Sequence, residues 1–133
     1  MMEAVNWIAI LACGVSSMVL GAVWYAPPVF GKAWQAGAGL SDADVQSGHP
    51  GVIYGGAFVL SLVAAFVFAM FIGAKPALDF ALGAGFSAGL CWVAASFGIN
   101  YLFERKSFKL WAVNGGYHTV QFTAFGAILS LLG

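Results

Sequence analysis

Apolar residues run almost unbroken through four stretches of this chain, 5–25, 52–72, 77–103 and 108–132. Each reaches the roughly 20 residues that a helix needs to cross bilayer hydrocarbon. None alternates with the period of two that marks a half-buried strand. The expected fold is therefore all-α, a four-helix transmembrane bundle forming one integral membrane domain over 1–133.

The breaks between the stretches have physical causes. Pro27-Pro28 ends the first, because proline lacks an amide and clashes with the preceding turn. His49-Pro50-Gly51 precedes the second. Gly73-Ala74-Lys75-Pro76 makes a tight turn, with Pro76 near the first position of the third helix. Glu104-Arg105-Lys106-Ser107 separates the third from the fourth. The one longer connection, 26–51, is expected to carry a single short interfacial helix. That helix begins at Ser41-Asp42-Ala43-Asp44, a capping-box-like start with carboxylates in its first turn.

Composition strengthens the membrane reading. Of 133 residues, 62% are hydrophobic and 8% charged, against about 25% charged in a soluble domain. A soluble chain this small has too little interior to hide so much apolar surface. Net charge is zero, which leaves no basic field for nucleic acid. Met1-Met2-Glu3 lacks the basic residues of a signal peptide, and the first apolar run is too long for one, so it reads as a retained helix. Cys13 and Cys91 lie within apolar runs and read as packing residues.

Charge also predicts orientation. Lys32, Arg105, Lys106 and Lys109 lie at one set of helix ends, with Lys75 alone at the other. The positive-inside rule then places loops 26–51 and 104–107 in the cytoplasm and both termini outside a cell (inner) membrane.

Candidate chemistry concentrates in the fourth stretch. Asn114, His118 and Gln121 are four and three residues apart and share one helical face, with Tyr117 beside them. At a rise of about 1.5 Å per residue, His118 lies about 15 Å from Phe108, near the bilayer midplane. Ser16, Ser17, Ser61 and Ser87 reach similar depth on the other helices, which suggests a polar cluster around His118. Such a cluster serves either as a pathway or ligand site, with His118 as its titrating member, or as hydrogen-bonding glue between helices. His49 lies too far from His118 in depth for shared coordination, and no metal or cofactor is expected. No phosphate loop, nucleophile elbow or zinc-protease motif is present, so no catalytic residue is assigned. Asp79 reads as a helix N-terminal carboxylate.

Ala81, Gly85 and Gly89 on the third stretch, and Gly115, Thr119, Thr123 and Ala127 on the fourth, form small-residue ridges that let helices approach closely. Their extent points to a homo-oligomer. The second stretch, rich in Phe, reads as facing lipid or another subunit.

Residues 21–34, Gly-Ala-Val-Trp-Tyr-Ala-Pro-Pro-Val-Phe-Gly-Lys-Ala-Trp, resemble the signature of the small bacterial membrane proteins grouped as domain of unknown function 1761. Phe103-Glu104-Arg105-Lys106-Ser107, followed by Asn114-Gly115-Gly116-Tyr117-His118, resembles the end of the same family's pattern. The resemblance implies a four-helix membrane protein and supplies no catalytic assignment. It also implies that Trp24, Tyr25, Pro27, Phe30, Gly31 and Trp34 act together with 114–118. Read from the residues alone, aromatics followed by proline equally make an interfacial helix stop.

Two functions follow from these features. One is a transporter- or channel-like protein for an ion or small solute, its path lined by Asn114, His118 and Gln121. The other is a non-catalytic scaffold or accessory subunit that binds another membrane protein. A membrane-embedded enzyme using His118 as acid and base is a third, weaker reading.

Overall fold

A computed structural model describes residues 5–133; Met1-Met2-Glu3, on which the signal-peptide reading partly rests, lies outside them. The described chain is helical throughout, with no strand. The long helices are α1 (Trp7–Trp24), α4 (Pro50–Ile72), α5 (Leu78–Ser87) continuing to α6 (Ala95–Glu104), and α7 (Phe108–Leu132). The short α2 (Lys32–Ala38) and α3 (Asp42–Ser47) lie between α1 and α4. That connection therefore carries two short helices where one was expected. The first is entered through a π-helical turn, Pro27–Gly31, started by the two prolines.

Four helix starts, those of α1, α3, α4 and α7, have a side chain that satisfies free backbone amides. Asn6 accepts from the amides of Ile8 and Ala9. Ser41 and Asp44 form a complete capping box on α3. His49 Nδ1 accepts from Val52 at the start of α4, and Ser107 Oγ from Leu110 at the start of α7. At Arg105 the chain turns through left-handed backbone, φ 58°, into the 105–107 connection.

α7 is the central helix. It packs between α1 and the α5–α6 helix, and buries Leu110, Val113, Gly115, Thr119, Gln121, Phe125, Gly126 and Leu129. Against α5 the approach is close enough that side chains would collide with main chain. A Cβ on Gly126 would meet the carbonyl of Ala81, one on Gly85 the carbonyl of Phe122, and one on Gly89 would lie 2.6 Å from Thr119 Cα. The two small-residue ridges read from the sequence are thus largely each other's partners. On the opposite side, Gly14 of α1 meets Leu62 and Phe58 of α4, and Trp7 stacks on Phe66 at 5.4 Å.

The bundle is uneven along its length. In its lower half Ala9, Ile10, Cys13, Ala65, Phe68, Ala69, Phe125 and Leu129 form one buried cluster. Asn6 Nδ2 donates to Leu132 O at 2.8 Å and ties the start of α1 to the end of α7. The first half of α4 leaves the bundle: Val52 and Leu60 are each 70% exposed, and nothing lies near Gly55 or Gly56.

Three helical segments are long and apolar enough to cross a membrane: Trp7–Trp24, Pro50–Ile72 and Leu78–Glu104. The fourth expected span forms the 25-residue α7 but is not among them. The reason is visible in its surroundings. A helix wrapped by others can carry Asn114, His118 and Gln121, and those residues lower its hydropathy.

Between α5 and α6 the third long helix opens into a π-helical stretch, Ala88–Ala94. Such a stretch bonds i to i+5 and holds an extra residue in its turn. Nothing in the apolar pattern of 77–103 foreshadows it.

Candidate functional site

The upper half of α7 displays a seam of polar side chains that bond to both flanking helices. Tyr25 Oη donates to Asn114 Oδ1 at 2.7 Å, and Asn114 Nδ2 donates to Tyr101 Oη at 2.8 Å. One amide thus joins the C-terminal cap residue of α1 to α6, with its carbonyl and amino ends both engaged. One turn further along α7, Gln121 Nε2 lies 3.0 Å from His118 Nδ1, and Tyr117 Oη donates to Gln121 Oε1 at 3.1 Å. The same hydroxyl lies 2.9 Å from the carbonyl of Ser17 on α1. The Tyr25 and Tyr117 rings touch at 5.4 Å, so the two groups form one continuous seam from Tyr101 to Ser17.

The histidine's tautomer follows from its neighbour. An amide nitrogen only donates, so Nδ1 accepts and the neutral ring carries its proton on Nε2. The imidazole stacks on Phe97 (5.2 Å, 16°) and meets Tyr117 edge-on at 4.9 Å. The ring is half-buried, and among the described residues its hydrogen bonding is through Nδ1, with none at Nε2.

Two indoles brace the seam. Trp24 Nε1 donates to Val113 O at 2.9 Å, and its ring fills the space above Gly116, where a Cβ would lie 3.0 Å away. Trp111 Nε1 donates to Ala94 O at 2.8 Å, at the end of the π-helical stretch. Around Trp24, the 24–34 segment folds back on itself. Phe30 packs on Trp24 at 4.8 Å, and Trp34 meets Tyr25 edge-on at 5.8 Å. Pro27 starts the π turn that turns the chain around. Gly31 is required where that turn closes, since a Cβ would strike the carbonyls of Tyr25 and Ala26. The aromatic segment and residues 113–117 are therefore one packed unit.

The serines behave otherwise than expected. Ser16 Oγ donates to Cys13 O and Ser61 Oγ to Ala57 O, each satisfying itself on its own helix. Ser87 is exposed on α5. Ser17 alone reaches the seam, through its carbonyl; its hydroxyl is buried with no partner among the described residues. Rotation about the helix axis decides contact, and depth along the helix does not give rotation. Tyr101 and Trp111, which the sequence did not mark as site residues, are members or braces of the seam. The short 105–107 connection held the signal, because a tight antiparallel turn brings Tyr101 alongside the first turns of α7.

His49 is exposed as the cap of α4, and Asp79 Oδ1 accepts from the amide of Phe80 in the first turn of α5. Among the described residues no group of three His, Cys, Asp or Glu is gathered for a metal. A cavity of about 70 Å³ lies at the lower end, by Asn6, Ala69, Lys75 and Leu129. An apolar groove of about 370 Å³ runs between α1 and α4 along Trp7, Leu11, Leu62 and Phe66. Neither reaches the seam.

A family model described as "Protein of unknown function (DUF1761)" matches residues 8–130, nearly the whole described chain. No curated protein and no solved structure matches it.

Proposed function

We propose that this chain, which belongs to the DUF1761 family, is a multi-pass membrane protein whose four long helices all span the bilayer, and that it acts as a small transporter- or channel-like protein for an ion or small solute. The path runs along Asn114, His118 and Gln121, with His118 as its protonation switch. One observation carries this reading: a half-buried imidazole on the central helix has Nδ1 held by Gln121 and, among the described residues, no hydrogen bond at Nε2. Ionisable groups at membrane depth are costly, and they commonly mark proton or solute pathways. In the conformation described the seam is closed, its side chains bonded to one another. Each such bond contributes only about 0.6 kcal/mol in a membrane bundle, so it opens at low cost.

The proposed orientation draws support from the packing. Asn6 beside Leu132, and the Lys75 backbone beside Gly133, put the start of α1, the end of α7 and Lys75 at one end. Lys32, Arg105, Lys106 and Lys109 belong to the other. By the positive-inside rule that second end, with loops 26–51 and 104–107, faces the cytoplasm of a cell membrane.

The test is proton-coupled flux in liposomes holding the purified protein. Wild type is expected to show pH-dependent flux, and His118→Ala to abolish it while remaining folded. Flux unchanged by that substitution removes the pathway role. The scaffold reading rests on a separate observation, the exposed first half of α4, which offers Val52, Tyr54 and Leu60 to a second membrane helix. A second copy of this chain or an accessory partner fits there. Crosslinking from position 54 in membranes reads that outcome directly.

A further inference from the structure

Tyr117 has one hydroxyl proton and two acceptors within reach, Ser17 O at 2.9 Å and Gln121 Oε1 at 3.1 Å. Gln121 in turn presents its amino group to a histidine nitrogen that accepts only while it is unprotonated. These facts together leave the chain of bonds under-determined in one direction and fully determined in the other. We infer that the Gln121 amide is a two-position switch that passes the protonation state of His118 to helix α1. The inference rests on His118 lying where a proton reaches it, and it deepens the pathway reading by naming what that proton moves.

In the first position, Gln121 Nε2 donates to bare Nδ1, and the ring proton is on Nε2. Tyr117 then divides its single proton between Gln121 Oε1 and Ser17 O. When Nδ1 carries a proton, it needs an acceptor, and Nε2 of glutamine facing it is a donor against a donor. A half-turn of the amide about its last bond removes the conflict. Oε1 now accepts from Nδ1, and Nε2 donates to the Tyr117 oxygen. The hydroxyl proton has only Ser17 O left. Each contact along the chain then has one donor and one acceptor, and the α7–α1 bond, shared before, is fully committed. With the amide turned, a neutral ring has its proton on Nδ1 and a bare Nε2 on its half-exposed side. The amide's orientation thus also decides whether that outer nitrogen gives or takes a proton.

No neighbouring charge interferes. α7 itself contributes Tyr117 beside the ring; the third long helix contributes Tyr101, across Phe97. α1 contributes Tyr25, across Tyr117, and Cys13, whose thiol points to Phe125 O. α4 carries His49 and Tyr54, both exposed. Neither a carboxylate nor an ammonium takes part in these contacts among the described residues.

Nitrogen-15 NMR of the full chain in lipid bilayers tests this, with His49→Gln leaving a single histidine and the Gln side chains labelled. At about pH 8 the unprotonated ring nitrogen is expected to be Nδ1. Acidifying through the titration of the ring should shift the Gln121 side-chain amide with the same midpoint as the ring. Tyr117→Phe, which keeps the ring packing, should move that midpoint and leave the neutral ring as a tautomer mixture. Three results overturn the switch: a neutral ring protonated on Nδ1 at high pH, a Gln121 amide that stays still while His118 titrates, or a ring that never titrates. The liposome assay is separate. Absent flux with a switching amide sinks transport alone, and intact flux with a static amide sinks the switch alone.

Discussion

The two halves of this bundle solve the same packing problem in opposite ways. Around Cys13, Ala81, Phe125 and Leu129 the helices are held mainly by shape: small residues let main chain touch main chain, and apolar side chains fill the rest, with the Asn6–Leu132 bond at the end. Around Tyr25, Tyr101, Asn114 and His118 they are held by directional bonds between polar groups, while α4 stands away. Close packing has one good arrangement. A chain of hydrogen bonds has several of similar energy, because donors and acceptors can be exchanged. The difference assigns stability to the lower half and adjustability to the upper.

One substitution made in both halves should separate them most sharply. Gly126→Ala drives a Cβ into the Ala81 carbonyl, and such overpacking costs about 3 kcal/mol where the backbone has to move. Gly55→Ala meets nothing within 4 Å and should cost no stability, since alanine is the better helix former. Thermal unfolding in one detergent compares the two, and equal losses would erase the contrast. Next in size is Asn114→Leu, which removes both the Tyr25 and Tyr101 bonds. At the membrane average its loss should be about 1 kcal/mol, seen as faster exchange of α6 amides with the lower half unmoved. The smallest effect lies outside the bundle. The Ser41 backbone amide first, and then its side chain, hold the Asp44 carboxyl below its ordinary value of 3.8. The α3 cap is therefore complete above that ordinary value, and it is lost as pH falls through the depressed one. Amide exchange at Ser41 and Asp44 should quicken only there.

Much of this was legible in the sequence because it depends on local rules. Pro27-Pro28, the Gly73–Pro76 turn and Ser107 mark chain breaks by backbone chemistry, and Ser41-x-x-Asp44 writes its own cap. The Gly85 and Gly89 ridge announced close approach, though not to which helix. The seam was half legible. Asn114, His118 and Gln121 stood out as polar residues in an apolar run, whereas Tyr25 read as part of an aromatic helix stop and Tyr101 as one more residue of an apolar stretch. The serines misled for a related reason. A hydroxyl in a helix has its own i−4 or i−3 carbonyl at hand, so proximity in depth creates no obligation to cross to another helix. The apparent weakness of α7 as a span came from the same residues that make it the centre.

The wide turn at Ala88–Ala94 sets a phase. Each residue turns an α-helix by about 100°, so one additional residue there decides which way everything after it points. Below the turn Gly85 faces α7, and at its start Gly89 does; above it Tyr101 still does, because the surplus residue is absorbed between them and Trp111 grips Ala94 at the join. The lower ridge and the upper seam are thus kept in step by a single inserted position. A change of loop length leaves this phase untouched, but a one-residue deletion inside the turn would rotate half a helix away from its partner.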